Sequence, residues 1–482
     1  MSVELERTEL CAGVAPLTAR LRDWQRDLLD RPDVLERLLD EYGSPLNLIA
    51  PGPMAANLAE LERVASAHRV GFRAYFARKA NKSLALVDRA LVLGAGVDVA
   101  GEQELAQALS RGACGEDIVL TAAIKTRALL ELCANEGAPC VIDNADELAL
   151  ARAVAADGER LLPIGFRLAL SGAAAGRPPT RFGVTAEEIR ELAAGLGPAA
   201  GGGLRLDGIH FHVDGYDPAD RARGLREAIA LADALAENGH GLRWIDIGGG
   251  IPMRYLADPR QWPRFWEEQG AALRGERPPL TYLAHGLGLR EQDGEVVGSP
   301  SVYPAAQSLV RGPWLDAVLR AEASELGAPT LAGALNQRGL QLRCEPGRSL
   351  LDGCGMTLAR VAFRKRGAAG DDLVGLEMNR TQLRTTADDS MIDPLLVRPP
   401  GAGEPSEPLD GYLVGAYCIE RELISWRRLR FPAGVAVGDI AAFPNTAGYF
   451  MHILESSSHQ MPLARNLVIR DGEPDGLDPI DR

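Results

Sequence analysis

The segment WIDIGGGIP, residues 244–252, sets three consecutive glycines directly after a strand-like apolar run. Such glycines leave backbone N–H groups with no side chains in front of them, a cradle for a phosphate, although a plain turn explains the run at least as often. Its place along the chain discriminates between two folds. Six strand-like runs precede it: FRAYFA (72–77), GVDVA (96–100), IVLTA (118–122), CVID (140–143), PIGFRL (163–168) and GIHFHV (208–213). WIDIG (244–248) is the seventh and LRCE (342–345) the eighth. Helical stretches alternate with them, including TAEEIRELAAGL, where Thr185 and Glu188 stand at capping-box spacing. An open doubly wound sheet usually carries its glycine-rich loop at the first strand, whereas a closed (β/α)8 barrel keeps phosphate sites after the last two. A triplet after the seventh strand therefore predicts an α/β chain built on a (β/α)8 barrel.

Past residue 353 the pattern changes to strand-like runs without helical alternation, such as LARVAFRK and GYLVGAYCI, which predicts a C-terminal mostly-β domain over 353–482. Residues 1–46 read as a helical segment, and 47–352 as the barrel with an insertion around 283–335. Between Gly250 and Glu345 lie 94 residues, more than one βα connection needs. Part of this stretch, AHGLGLREQDGEVVGSPSVYP, reads either as a lid over the strand C-termini or as a surface excursion.

A net charge of -14 argues against nucleic acid or an anionic membrane as the main partner and leaves small molecules and proteins. The first twenty residues lack the basic start and apolar block of a secretory signal, and no apolar run approaches the roughly 20 residues of a membrane span. A cytoplasmic location is expected. Seven scattered cysteines without a CxxC pair suggest neither a disulfide framework nor a cysteine zinc site.

The chain has only four lysines, Lys79, Lys82, Lys125 and Lys365, against 48 arginines. Arginine cannot lose its proton at accessible pH, so a nucleophilic amine has to be lysine. Lys79 follows the first predicted strand and would project from the catalytic end of a barrel, where burial lowers a lysine pKa toward the neutral amine. His210 and His212 lie two apart, on one face of a strand: either a metal pair, as in barrel hydrolases, or a core histidine beside a ring used for stacking. In RCEPGRS, Glu345 could meet a protonated ring nitrogen and Arg348 an anion. An amine, a carboxylate, a flat ring and a glycine cradle together describe pyridoxal 5'-phosphate.

Nine motifs in order carry a wider likeness: FARKAN, GAGVDVAGEQEL, IDNADEL, RFGV, HFHV, DIGGGIP, EPGR, GAYC and AGY. With them the chain resembles the fold-type III pyridoxal-phosphate decarboxylases, the group that contains diaminopimelate and ornithine decarboxylases, as an outlying branch. The resemblance implies a barrel joined to a β domain, in a homodimer with shared active sites. It also implies that Lys79 forms the Schiff base, that His212 stacks on the pyridine ring and that Glu345 holds its nitrogen protonated. Gly248, Gly249, Gly250, Arg348 and Tyr449 would surround the phosphate, with Asp98, Glu104 and Arg167 at the cofactor rim. Cys418 would come from the neighbouring subunit to return a proton after CO2 leaves.

Three departures bear on the substrate. Asp214 and Gly215 replace the family's Gly-Ser after HFHV, Ile419 stands where diaminopimelate decarboxylase keeps an acid, and Arg384 falls one residue late for a distal carboxylate. The expectation is a decarboxylase of an amino acid or amino-acid-containing metabolite. The alternatives are an amino-acid racemase or epimerase, or a non-catalytic pyridoxal-phosphate protein.

Overall fold

The computed structural model describes residues 10–158, 161–171, 180–196, 203–388 and 390–482. The chain forms two compact units, one of residues 54–252 and 309–350, the other of residues 1–53, 253–308 and 351–482.

The first unit is the barrel. Its parallel strands are β1 (Phe72–Ala77), β2 (Gly96–Val99), β3 (Ile118–Leu120), β4 (Cys140–Ile142), β5 (Leu162–Arg167), β6 (Leu204–His210), β7 (Trp244–Asp246) and β8 (Gln341–Cys344). β8 closes the ring by pairing with both β1 and β7. These are the eight runs expected from sequence. Near-continuous apolar strands suit a sheet that is covered by helices outside and filled by side chains within. Tyr75, Val119, Val141 and Trp244 form one such filling cluster. The indole lies so close to β6 that a Cβ on Gly208 would stand 2.2 Å from it. Several of the helices begin at side-chain caps: Thr126, Asn144, Thr185 and Asp217 each accept a backbone N–H of the following turn, which otherwise lacks a partner.

The second unit is a ten-stranded, mostly antiparallel sheet centred on the long strand Gly355–Arg366. Strand Leu46–Ile49 pairs antiparallel with Gly355–Arg366 and parallel with Arg465–Arg470. Helices Asp23–Leu29 and Pro32–Tyr42 place Leu28, Leu35 and Leu39 in the same buried core as Met356, Leu358, Ile440 and Leu467.

This division corrects the boundaries drawn along the sequence. Residues 1–46 are not a separate segment, because their helices and the strand that follows complete the β unit, and the barrel unit starts at Met54 rather than at 47. The stretch expected as a 283–335 insertion is split at residue 308. Residues 309–335 contribute helix Arg311–Arg320 and the start of Leu331–Arg338 to the barrel unit. Residues 253–308 belong with the sheet, where Tyr282 N donates to Trp426 O and the His285 ring stacks on Trp426 at 4.0 Å. Backbone pairing and aromatic contact decide that membership, and neither is visible in chain order. No helix among the described residues is long and apolar enough to cross a membrane.

Candidate active site

Register gathers the polar residues at one rim of the barrel. Ala77, two residues before Lys79, pairs with Asp98; Arg167 pairs with His210, and His210 with Asp246. Asp98, Arg167, His210 and Asp246 thus lie at or next to the C-terminal ends of β2, β5, β6 and β7, and Glu345 follows β8 directly. This is the end where barrels place their chemistry.

Lys79 occupies the short turn Arg78–Ala80 that β1 runs into. Its Nζ stands 3.2 Å from Asp98 Oδ2 and 3.2 Å from Glu345 Oε2. The expectation that burial neutralises this amine needs correcting: the side chain is 40% exposed, and two buried carboxylates balance its charge. The carboxylates part company. Burial and the Glu345 charge push Asp98 up to about 7, against the opposing pull of Lys79 and of Thr121, whose Oγ1 donates to Asp98 Oδ1 at 2.5 Å. Burial also opposes the charge on Glu345, but Lys79 and the His210 hydrogen bond outweigh it and hold this carboxyl well below the usual range. Glu345 is therefore the ionised member and Asp98 the one that accepts a proton first.

β6 ends at His210, so His212 lies in the following loop and the two rings do not share a strand face as expected. His210 is buried and bonds Glu345. His212 is an exposed loop residue, yet the protein packed around it costs its ring solvation, and with the Arg221 and Lys79 charges this pulls its pKa down and leaves a neutral ring available for stacking. Asp246, pushed well up by burial and by Glu345, accepts from Gly248 N at 2.8 Å. Glu345 N in turn donates to Gly248 O at 3.0 Å, so the carboxylate and the glycine loop are tied together.

The glycine triplet is a built feature rather than a plain turn. Gly248 has φ +67, and a Cβ there would lie 2.7 Å from Phe211 O and 3.2 Å from His212 Nδ1. Gly248→Ala is expected to cost about 2–5 kcal/mol in denaturant unfolding, from a left-handed backbone plus overpacking. It should also displace His212 and loosen any bound pyridoxal phosphate; unchanged stability would mean that the loop is plastic.

Apart from Arg167, already expected at the rim, the residues that brace the site carry no motif signal strong enough to find them alone. Arg221, fully buried on helix Pro218–Glu237, donates to Ile247 O at 2.6 Å and Val213 O at 3.2 Å, clamping the glycine loop to the loop after β6. Arg167 donates to Thr121 O at 2.6 Å, pairs with Asp143 at 3.1 Å and lies over the Phe182 ring. Asp143 also accepts from Gly183 N, and Lys125 is buried against Glu147 at 2.9 Å. An arginine within the helical stretch after HFHV, and a lysine in an arginine-rich chain, are the only signals the sequence offers for them.

Of the other expected residues, Gly249 and Gly250 complete the loop and Arg348 is half-buried on the turn Gly347–Leu350. Glu104 accepts from Ala100 N at 2.7 Å, which makes it a cap for the turn after β2. Cys418 and Tyr449 belong to the β unit, where Cys418 is exposed and Tyr449 has φ +75.

Residues 58–270 match the family model for the pyridoxal-binding domain of pyridoxal-dependent decarboxylases. The chain is 33% identical to protein y4yA of Sinorhizobium fredii, over 96% of this chain and 95% of that one. It is 24% identical to diaminopimelate decarboxylase of Pseudomonas aeruginosa, over 91% and 90%. The chain belongs to the fold-type III pyridoxal-phosphate decarboxylases. Among solved structures, diaminopimelate decarboxylase of Helicobacter pylori complexed with L-lysine superposes with a TM-score of 0.66 at 17% identity, covering 93% of this chain and 97% of that one. Lysine/ornithine decarboxylase of Vibrio vulnificus complexed with putrescine gives 0.63 at 17% identity, over 94% and 100%.

Members of this decarboxylase family are pyridoxal-phosphate-dependent carboxy-lyases, and pyridoxal 5'-phosphate is the cofactor here. The rim fits it. An amine held by carboxylates, an ionised buried Glu345, a neutral His212 ring and a side-chain-free loop beside that ring supply one partner for each part of the cofactor.

Proposed function

We propose that the protein decarboxylates an amino acid, or an amino-acid unit within a larger metabolite, using Lys79 as the covalent anchor of pyridoxal phosphate and Cys418 as the proton donor. The observation that carries this reading is the Lys79 amine held 3.2 Å from both Asp98 and Glu345 at the C-terminal rim of the barrel. Lys79 would hold the cofactor through its aldehyde, the amine being the group that carbonyl requires. Glu345 would meet the ring nitrogen and His212 would stack on the ring, Gly248–Gly250 with Arg348 and Tyr449 would hold the phosphate, and Asp98 and Arg167 would order the rim. The bound cofactor supplies a protonated pyridine that accepts the electron pair left when the α-carboxylate departs as CO2.

Cys418 then returns a proton to the α-carbon. Its exposure on the surface of one chain suits a role in the site of a second copy, and so a homodimer with shared sites. A cytoplasmic location accompanies this reading. The distal half of the substrate differs from diaminopimelate. Ile419 is 47% exposed where an acid would greet an amino group. Arg384 lies 3.9 Å from Asp388 and donates to Leu423 O, so its charge is already answered within the β unit.

The test combines two measurements. Borohydride reduction followed by peptide mapping should place the cofactor adduct on Lys79. Cys418→Ala should lower CO2 release by about 10²–10⁴-fold, the usual worth of a positioned proton donor, with the cofactor still bound. A variant that keeps its rate, or a wild type that exchanges the α-hydrogen with solvent deuterium without releasing CO2, would favour the racemase or epimerase reading instead.

A further inference from the structure

The HFHV motif contains a histidine to which the reaction assigns nothing. His210 ends β6, is 2% exposed, and sets its Nε2 3.1 Å from Glu345 Oε1, while Lys79 takes the other oxygen. Its Nδ1 is buried without a hydrogen-bond partner. That pattern defines the tautomer: a carboxylate accepts, so the proton sits on Nε2, and Nδ1 is the bare nitrogen, since an orphaned N–H would cost more. Burial opposes a second proton on the ring and, with the Arg167 and Lys79 charges, outweighs the pull of Glu345 in its favour. His210 is therefore a neutral donor rather than a counter-charge.

From this geometry we infer that His210 is a positioning residue for the ring-nitrogen carboxylate: it occupies one oxygen of Glu345, fixes the carboxylate plane, and leaves the second oxygen facing the amine side of the site. Asp246 supports the arrangement from β7. Its carboxyl oxygen lies within 4.8 Å of the acting atoms of His210 and Glu345, and Gly248 N and O bond Asp246 and Glu345 respectively. A carboxylate with one oxygen tied to a neutral donor keeps its charge without being cancelled, as a partner for a pyridinium requires. The inference rests on the proposed role of Glu345 and extends it to the buried residue that bonds it.

The experiment uses the full-length protein reconstituted with pyridoxal phosphate labelled at the ring nitrogen. Nitrogen NMR reports whether that nitrogen carries a proton, and a fluorescence titration gives cofactor affinity. In the wild type the ring nitrogen is expected to be protonated. His210→Phe, a ring without a donor, should move the signal toward the neutral ring and weaken cofactor affinity about tenfold or more. His210→Gln, whose amide N–H reaches a similar distance, should restore the protonated signal. His210→Leu carries the same expectation as His210→Phe should the latter fail to fold. A donor-less variant that keeps the protonated signal and wild-type affinity overturns the role given to His210. A wild type whose bound cofactor has a neutral ring nitrogen overturns the role given to Glu345.

Discussion

Lys79→Ala is expected to lower decarboxylation by about 10⁴-fold or more, the scale seen when the covalent group of an enzyme is removed. Borohydride should then leave no cofactor attached to the 75–83 peptide. The substitution also changes the electrostatics of the rim. In the wild type one ammonium faces Asp98 and Glu345, both buried, and Asp98 already stands at about 7. A carboxyl whose folded pKa is raised above its unfolded value favours the folded state most at low pH, and that contribution is lost as pH rises through the folded pKa. Asp98 therefore lowers stability progressively from about pH 4 to about pH 7 in the wild type. Without Lys79 both carboxylates lose their cation and the window moves upward, so the variant should unfold more readily in alkaline buffer and recover on acidification. Thermal unfolding across a pH series checks this. A parallel shift at every pH would mean that Lys79 acts on the fold by packing alone.

Glu345→Gln keeps the shape and removes the charge. Turnover should fall by about 10²–10³-fold, the range for deleting one preorganised electrostatic partner. The pH signature has the opposite sign to that of Asp98. The folded pKa of Glu345 lies well below its usual value, so its contribution to stability is present above the unfolded pKa and fades as pH drops below about 4. The glutamine variant should lose that acid-side dependence. It should also relieve Asp98, since the Glu345 charge is the second largest cause of its rise. A single Lys79–Asp98 pair then remains, and the stability decline between about pH 4 and 7 should shrink. Retention of near-wild-type turnover would place the ring-nitrogen contact on another residue.

The eight barrel strands were legible because a buried parallel strand is an apolar run of definite length, and the Thr185 cap was legible because its side chain satisfies an N–H three residues on; Asn144 and Asp217 also cap their helices in the structure. Lys79, Glu345 and the glycine triplet were legible through chemistry that few residue types can perform. Other features were not. HFHV continues the apolar pattern of β6, yet pairing with β7 ends at His210, which turns two similar histidines into one buried donor and one exposed ring. Thr121, Asp143 and Arg221 are ordinary residues whose importance lies in what stands opposite them.

Local pattern and residue chemistry were therefore enough to specify a barrel, a β domain and a pyridoxal-phosphate site, because strand periodicity, capping and the need for an amine are properties of short segments. Long-range pairing set the rest. It drew residues 1–53 and 253–308 into the β unit through Leu46–Ile49 and Trp426, and it placed Asp98 and Glu345, 247 positions apart, on one lysine. Charge sharing among buried groups depends on a few ångströms of separation and on the water excluded between them. Those distances exist only once the barrel has closed.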